Sequence, residues 1–132
     1  MRREIKFRGR YSQGIENAGH WVYWGLTGTD VLDCIDLDTV GQYTGLKDKN
    51  GVEIYEGDVA VKEGYLHFDD GKPNYRSEVE WCFAGFHTVL HCVNPSKRGI
   101  SDGINESLEE GRGWLIIGNI HSNPELLEKE LQ

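Results

Sequence analysis

The sequence predicts a mainly β protein that ends in one short helix. Apolar and polar residues alternate in several short runs, which is the period of a strand with one buried face. Glycine is abundant, with 17 among the 132 residues, and it separates these runs with turns. Four Trp, six Tyr and four Phe provide large apolar side chains, which offset a hydrophobic content of only 38%. We therefore expect a folded domain in which the N-terminal strands and a central hairpin pack into a small sheet or barrel.

The best-defined local structure lies within the stretch Val40–Val59. Its segment Lys47-Asp-Lys-Asn-Gly51 ends in an Asn-Gly pair, which tolerates the positive φ angles of a tight hairpin turn. Residues 42–46 and 52–55 on either side are predicted strands. Gly57 then separates two strand-like runs, which indicates a bulge or a sharp corner.

The other predicted strands follow from the same alternation. They are Glu4–Arg8, Trp21–Trp24, a weakly alternating Val31–Val40, Val59–Val61, Tyr65–Phe68, Ser77–Trp81, Phe83–Val93 and Trp114–Ile117. An aromatic patch on an exposed loop is the alternative for Tyr65–Phe68, and we favour the strand. Ala84-Gly85 predicts a bend or a hairpin turn inside the longest β signal. A structural role is the default for the four tryptophans, Trp21, Trp24, Trp81 and Trp114.

The chain ends with a predicted helix at Asn123–Leu131. Asn123 suits the N-cap, and Pro124 suits the first helical position because proline has no N–H to leave unpaired. Leu127 and Leu131 lie four residues apart, so they form one apolar stripe for packing.

Residues 94–113 form a polar segment that is longer than a usual connection. Two interpretations are open, a disordered insertion, which we favour, and a loop that binds a partner. A short helix is conceivable within this segment at Glu106–Glu110.

The charge of the chain is unevenly distributed. The total is −8, yet the first ten residues carry +4, which leaves −12 on the rest. The positive residues at this end are Arg2, Arg3, Lys6, Arg8 and Arg10. We favour a solvated first strand whose cations pair with the acidic remainder. The alternative is that these five residues contact phosphate or nucleic acid, with Trp21 or Tyr23 as stacking surfaces.

The residue patterns predict no catalytic, cofactor or metal site. The chain has no Gly-x-Ser-x-Gly elbow and no phosphate-binding loop that ends in Gly-Lys-Ser/Thr. Asp30, Asp33, Asp36 and Asp38 lack the central Gly and the ligand spacing of a calcium loop. His87 and His91 would stand roughly 13 Å apart on a strand, too far to share one ion, and Cys82 and Cys92 lack the close spacing of structural zinc sites.

Cysteine usage and hydropathy bear on the compartment. Cys34, Cys82 and Cys92 are odd in number and widely spaced, which fits free thiols in a reducing cytoplasm better than a disulfide framework. No apolar run approaches the roughly 18 residues that a membrane-spanning helix requires. We expect a cytoplasmic protein without a membrane anchor.

Three separated segments carry a family resemblance. They are Arg3–Gly9, then Thr39–Gly51 with Glu53–Val59, and finally Ile116–Ile120 with Asn123–Leu127. In this order they resemble the YopX family of phage and prophage proteins. The resemblance implies a small phage-encoded protein with no established activity, whose C-terminal half is similar to an SH3-type β-barrel. It suggests two regions, an N-terminal β region at 1–50 and an SH3-like barrel region with the helix at 51–132.

Two functional hypotheses follow. The first is a non-enzymatic protein-interaction module in the host bacterial cytoplasm, whose partner is another protein or a second copy of the chain. The second is a nucleic-acid-binding protein that uses the basic N-terminal strand. We favour the first, because the body of the protein is acidic and nothing in the sequence marks a catalytic centre.

Overall fold

The structure is a computed structural model, and it describes residues 4–12, 14, 18–27, 29–62, 68–69, 72–73, 75–82, 85–92 and 105–128. Eleven strands lie in these residues: β1 (Phe7–Tyr11), β2 (Trp21–Trp24), β3 (Ile35–Lys47), β4 (Glu53–Tyr55), β5 (Asp58–Lys62), β6 (Phe68–Asp69), β7 (Lys72–Pro73), β8 (Tyr75–Cys82), β9 (Gly85–Cys92), β10 (Asn105–Ser107) and β11 (Trp114–Asn119). A 3₁₀ helix at Thr29–Cys34 precedes β3, and another at Pro124–Leu127 follows β11.

The first sheet has four antiparallel strands in the order β2-β1-β3-β4. Strand β1 alternates its side chains between the two faces of this sheet. On one face Phe7 stacks on Trp24, with ring centroids 6.1 Å apart. On the other face Arg8 lies opposite Tyr23 and Arg10 lies opposite Trp21. The basic strand therefore presents its arginines to aromatic side chains of its neighbour.

The second sheet has five antiparallel strands in the order β10-β9-β8-β5-β11. Strands β8 and β9 pair over their whole length, from Tyr75↔Cys92 to Cys82↔Gly85. Strand β5 is much shorter, and its register with β8 covers only Val59↔Glu78 and Ala60↔Ser77. The C-terminal end of β8 therefore extends beyond the first residues of β5. Strands β6 and β7 form a separate small hairpin.

Asp48 ties the central hairpin turn to the second sheet. Its Oδ1 accepts hydrogen bonds from the backbone N–H groups of Asn50 at 2.8 Å and Val52 at 2.9 Å. Its Oδ2 accepts one from the N–H of Ile116 on β11 at 3.0 Å. Burial works against ionisation of this carboxyl, but the three donors outweigh it and lower its pKa. The turn is thus held both to itself and to the edge strand β11.

The apolar core is built mainly on the second sheet and the end of the hairpin. Its members are Ile54, Ala60, Val79, Phe86, Leu108 and Trp114. Leu108 follows β10 and comes from the segment that the sequence marks as a loop. Gly111, three residues further on, packs so closely that a Cβ there would overlap the carbonyl oxygen of Lys47. This part of the chain is therefore an integral part of the fold.

Most of the predicted strands are confirmed. The central hairpin has its turn at residues 48–52, and β2 has the predicted bounds Trp21–Trp24. The two predicted strands Ser77–Trp81 and Phe83–Val93 correspond to β8 and β9. Of the predicted strand Tyr65–Phe68, only Phe68 lies among the described residues, and it belongs to β6. Two strands start later than predicted, β1 at Phe7 and β3 at Ile35 after a 3₁₀ helix.

Three expectations need correction. The described strands of the C-terminal half form an open five-stranded sheet, so an SH3-type barrel is not confirmed and the described part of the chain shows no closed barrel. A helix at Glu106–Glu110 is wrong, because Asn105–Ser107 pairs with β9 as a strand. In the final helix the described turn is 3₁₀, and the Asn123 side chain makes no cap but accepts a hydrogen bond from the N–H of Asn119. The sheets change between β4 and β5, whereas the predicted division into 1–50 and 51–132 stays a prediction.

Within the described residues, no helix combines the length and the apolar character that crossing a membrane would require.

We predict that Asp48→Ala lowers the free energy of unfolding by about 3 kcal/mol, because three backbone N–H groups lose their shared, buried and charged acceptor. Urea denaturation at pH 7 measures this change. Since the pKa of Asp48 is lowered by folding, its contribution is present above the ordinary value of 3.8 and is lost as the pH falls through the folded pKa. Asp36→Ala is the matched control, because the Asp36 carboxylate accepts a single exposed bond from Asp38. Equal losses in the two variants would contradict the assigned role of Asp48.

Candidate functional site

Three of the five basic residues singled out in the sequence can be located. Arg2 and Arg3 lie outside the described residues. Lys6, Arg8 and Arg10 alternate along β1 and its approach, so they share one face of the first sheet. Their contacts decide how much positive charge this face presents to solvent.

Arg8 is buried and forms an ion pair with Asp58. Its Nη2 donates to Oδ1 of Asp58 at 2.6 Å, and the two residues are only 7% and 2% exposed. The guanidinium carbon lies 4.5 Å from the ring centroid of Trp21 and 4.7 Å from that of Tyr55. Burial raises the pKa of the Asp58 carboxyl, while Arg8 and the N–H of Tyr55 oppose this effect. One guanidinium is thus held between two aromatic rings and a carboxylate.

Lys6 and Arg10 are also bound within the protein. Nζ of Lys6 donates to Glu53 at 2.6 Å, and this hydrogen bond raises the pKa of Lys6 and lowers that of Glu53. Arg10 donates to the backbone carbonyl oxygens of Gly19 at 2.9 Å and His121 at 3.0 Å. All three cations therefore have internal partners. The nucleic-acid contact predicted for Arg2, Arg3, Lys6, Arg8 and Arg10 stays a prediction.

A second surface lies where the two sheets meet, and we call it the junction cleft. It has a volume of about 200 Å³. Its lining residues are Asp38, Val40, Glu56, Gly57, Glu78, Val79, Glu80, Trp81, Ile120 and His121. Among these described residues, four carry carboxylates, three are aliphatic, and none is Lys or Arg.

The turn between β4 and β5 explains the position of the junction cleft. Gly57, with a φ of +91° that favours glycine, turns the chain from β4 into β5. Its N–H donates to the carbonyl oxygen of Val79 at 2.8 Å, which is the last backbone contact on this side of β8 among the described residues. Beyond it, Glu80–Cys82 pairs with β9 alone within the described part of the chain. A short open strand edge therefore borders the cleft.

Trp81 stands on this open edge and is unusually exposed for its size. Its side chain is 52% exposed, although Val79 on the same face is buried. The ring packs edge-to-face against Phe86, with centroids 4.9 Å apart and an interplanar angle of 77°. This contact fixes the orientation of the indole while leaving about half of its surface to solvent. The default structural role therefore holds for buried Trp24 and Trp114 but does not account for Trp81.

Carboxyl groups outnumber the basic groups among the described lining residues of the cleft. Burial raises the pKa of Glu78, and the neighbouring carboxylate of Glu80 raises it further. The closest positive candidate is Nε2 of His91, 3.8 Å from Glu78. Burial lowers the pKa of His121 and the arginines of β1 lower it further, so this imidazole is neutral at pH 7 and offsets none of the negative charge.

No metal site emerges from the described residues, since they contain no group of three or more His, Cys, Asp or Glu side chains placed to hold an ion. The cleft was also missed by sequence analysis. Its walls come from β3, the β4–β5 turn, β8 and the residues after β11, which are far apart in the chain. The only local signal is Glu78-Val-Glu80-Trp81, in which two carboxylates alternate with apolar residues on a strand.

We predict that Arg8→Met lowers the free energy of unfolding by about 3 kcal/mol, because it leaves the Asp58 carboxylate buried without its cation. Asp58→Asn in the Arg8→Met background should recover part of this loss, since no unpaired charge then remains. Urea denaturation of the two single variants and the double variant gives the coupling energy. Strictly additive losses would mean that the pair does not act as a unit.

Comparison with known proteins identifies a protein family and similar solved structures. The model of the YopX protein family matches residues 5–128. The crystal structure of protein EF1440 from Enterococcus faecalis is similar at 30% sequence identity and a TM-score of 0.45, covering 94% of this chain and 79% of that one. No curated protein matches the chain. Because the family model covers nearly all of its length, the chain belongs to the YopX protein family.

Proposed function

We propose that this protein is a non-enzymatic interaction module that binds an extended segment of another protein in the junction cleft. The observation that carries the proposal is Trp81, which stands half exposed on a strand edge that no other described strand pairs with. Large aromatic side chains are enriched at the energetic centres of protein interfaces. An exposed strand edge offers backbone donors and acceptors to an incoming strand.

The shape of the cleft supports an extended ligand better than a compact one. Because strand residues alternate, the backbone groups of Trp81 point to the same side as those of Val79, whose carbonyl is bonded to Gly57. An added segment would therefore continue the pairing that β5 leaves incomplete. The aliphatic lining residues Val40, Val79 and Ile120 could contact one of its side chains.

The proposed setting is the cytoplasm of a bacterial host, with a phage or prophage as the source of the gene. Membership of the YopX family supports this setting. Cys34 is an exposed free thiol, which suits a reducing compartment. We include a second copy of the chain among the protein partners that could supply the segment.

Nucleic acid is the alternative partner, and the internal contacts of Lys6, Arg8 and Arg10 lend it no support. Glu53 and Asp58 neutralise two of these cations, and carbonyl oxygens occupy the third. Capture from lysate with and without nuclease distinguishes a nucleic-acid partner from a protein partner.

We expect the tagged wild-type protein to capture a partner from host lysate whether or not nuclease is added. Trp81→Ala should reduce recovery of that partner at least tenfold, because it removes the exposed ring from the cleft. Tyr23→Ala is the matched control, since Tyr23 is 53% exposed on the first sheet, and it should leave recovery unchanged. Quantitative mass spectrometry of the captured proteins measures the ratio.

Two outcomes would count against this function. Capture that disappears with nuclease would favour nucleic acid and the basic strand β1. Equal losses for Trp81→Ala and Tyr23→Ala would move the binding surface away from the cleft. Light scattering after gel filtration identifies the case in which the captured partner is a second copy.

A further inference from the structure

We propose that two copies of this chain associate through the open edge of strand β2, which pairs antiparallel with β2 of the second copy. The two first sheets then form one continuous sheet with both β2 strands at its centre. This contact lies on the first sheet and does not use Trp81, so it goes beyond the proposed function. It follows from the direction of the backbone groups of β2, from the symmetry of its residues and from its lack of charge.

The backbone groups of Trp21 and Tyr23 point away from the first sheet. The N–H of Arg10 donates to Oγ1 of Thr39 on β3 at 2.9 Å, so the backbone groups of Arg10 face away from β2. Trp21 lies directly opposite Arg10, and residues paired in this way on antiparallel strands both turn their N–H and C=O groups outward. Tyr23 has the same direction as Trp21 because it is two residues further along the strand. No other described strand pairs with this edge.

Two of the other strands at sheet ends have a protection that β2 lacks. At β11 the N–H of Ile116 is bound by Asp48, and the carbonyl oxygen of Trp114 accepts a hydrogen bond from the N–H of Lys49. Strand β10 has the charged Glu106 at its middle position. Strand β2 contains no charged residue and no proline, and its register with β1 has no bulge. These are the devices that usually prevent a strand edge from pairing, so β2 is open to another strand.

The residues of β2 are self-complementary about Val22. An antiparallel pair centred there places Val22 opposite Val22 of the second copy and Trp21 opposite Tyr23 of the second copy. Since Trp21 and Tyr23 have the outward backbone groups, both of these pairs exchange N–H···O=C bonds in each direction. Aromatic residues directly opposite each other on one face also stabilise a sheet. One surface therefore satisfies its own copy, as a two-fold interface requires.

The charge of the chain also favours a second copy as the occupant. With a net charge of −8, two copies repel each other wherever their acidic surfaces meet. Residues 17–29, which include β2, contain no Asp, Glu, Lys or Arg. A contact centred on Val22 therefore brings no like charges opposite each other. Tyr23 and Leu26, which are 53% and 75% exposed, add apolar surface along the same edge.

The first measurement is sedimentation equilibrium of the full chain from about 10 µM to about 1 mM. We expect a reversible monomer–dimer transition in this range, because a strand of 4 residues pairs over less area than the roughly 1,600 Å² of a standard interface. A chain that stays monomeric at about 1 mM overturns the inference.

NMR of the ¹⁵N-labelled wild-type chain locates the contact without any substitution. The backbone N–H signals of Trp21 and Tyr23 should shift and become protected from hydrogen exchange as the concentration rises, because only these groups gain acceptors. The N–H groups of Val22 and Trp24 face β1 and are the internal control, so their protection should stay unchanged. A dimer that leaves Trp21 and Tyr23 unprotected uses another surface and contradicts the proposal.

Opposite charges at Val22 test the symmetry of the contact. Val22→Glu and Val22→Lys should each weaken dimerisation at least tenfold, because like charges then face each other at the two-fold axis. A mixture of the two variants should form a heterodimer at least tenfold tighter than either homodimer. Val22→Thr is the matched control, since it keeps a β-branched, uncharged side chain and should stay within threefold of wild type. Failure of the mixture to associate would rule out the antiparallel pair centred on Val22.

The inference and the proposed function fail separately. Trp81→Ala should leave the dimer Kd within twofold, and a dimer lost in this variant would place the contact on β8 and overturn the β2 edge. A wild-type chain that is monomeric, yet loses a captured host protein with Val22→Glu, would assign the edge to another protein and contradict the second copy. A dimer that captures nothing from lysate would keep this contact and contradict the interaction module at the cleft.

Discussion

The ion pair between Arg8 and Asp58 is the interaction on which the arrangement of the two sheets depends. Arg8 belongs to β1 in the first sheet, and Asp58 is the first residue of β5 in the second. The carboxylate also accepts the N–H of Tyr55 at 2.7 Å, which closes the tight turn between β4 and β5. Taking both charges out of water is costly, so the pair survives because each oxygen of Asp58 has a donor. The Arg8–Asp58 ion pair therefore fixes where the first sheet ends and the second begins.

The Arg8–Asp58 ion pair also determines where the junction cleft lies. Since β5 starts at Asp58, its register with β8 ends at Val59↔Glu78, and β8 runs on without it. Glu56 and Gly57 fill the turn and become one wall, while Asp38 and Val40 of β3 become another. The open edge at Trp81 is thus a direct result of the sheet change. A turn placed later in the chain would shift the start of β5 and move this edge.

Much of the strand pattern was predictable because it depends on local residue types. The Asn-Gly turn at residues 50–51 and the alternation of β2 need no knowledge of distant parts of the chain. The segment 105–113 was misjudged for the opposite reason. Its strand pairs with β9, and Gly111 is fixed by a close approach to Lys47, sixty-four positions earlier. A polar composition cannot reveal contacts of that kind.

Asp48 illustrates the same limit for single residues. In sequence it is one more turn aspartate, and its two bonds within the turn are typical of that position. Its third bond, to Ile116, depends on where β11 lies. The junction cleft extends this limit to a surface, because its four carboxylates come from three separate segments. Local pattern predicts strands, whereas the site depends on how they meet.

The ion pairs and hydrogen bonds that the basic residues form within the protein also determine which charges remain on its surface. The +4 of the first ten residues is the only basic concentration in a chain of −8, and Lys6 and Arg8 pair with Glu53 and Asp58. Arg10 gives its donors to carbonyl oxygens. Lys6, Arg8 and Arg10 are thereby committed to contacts within the fold, and Arg10 reaches the carbonyl oxygen of His121 at the border of the cleft. The electrostatic effect of exposed carboxylates on approaching ions weakens as the salt concentration rises. The basic residues of β1 therefore serve mainly to join the first sheet to the turns and strands that follow it.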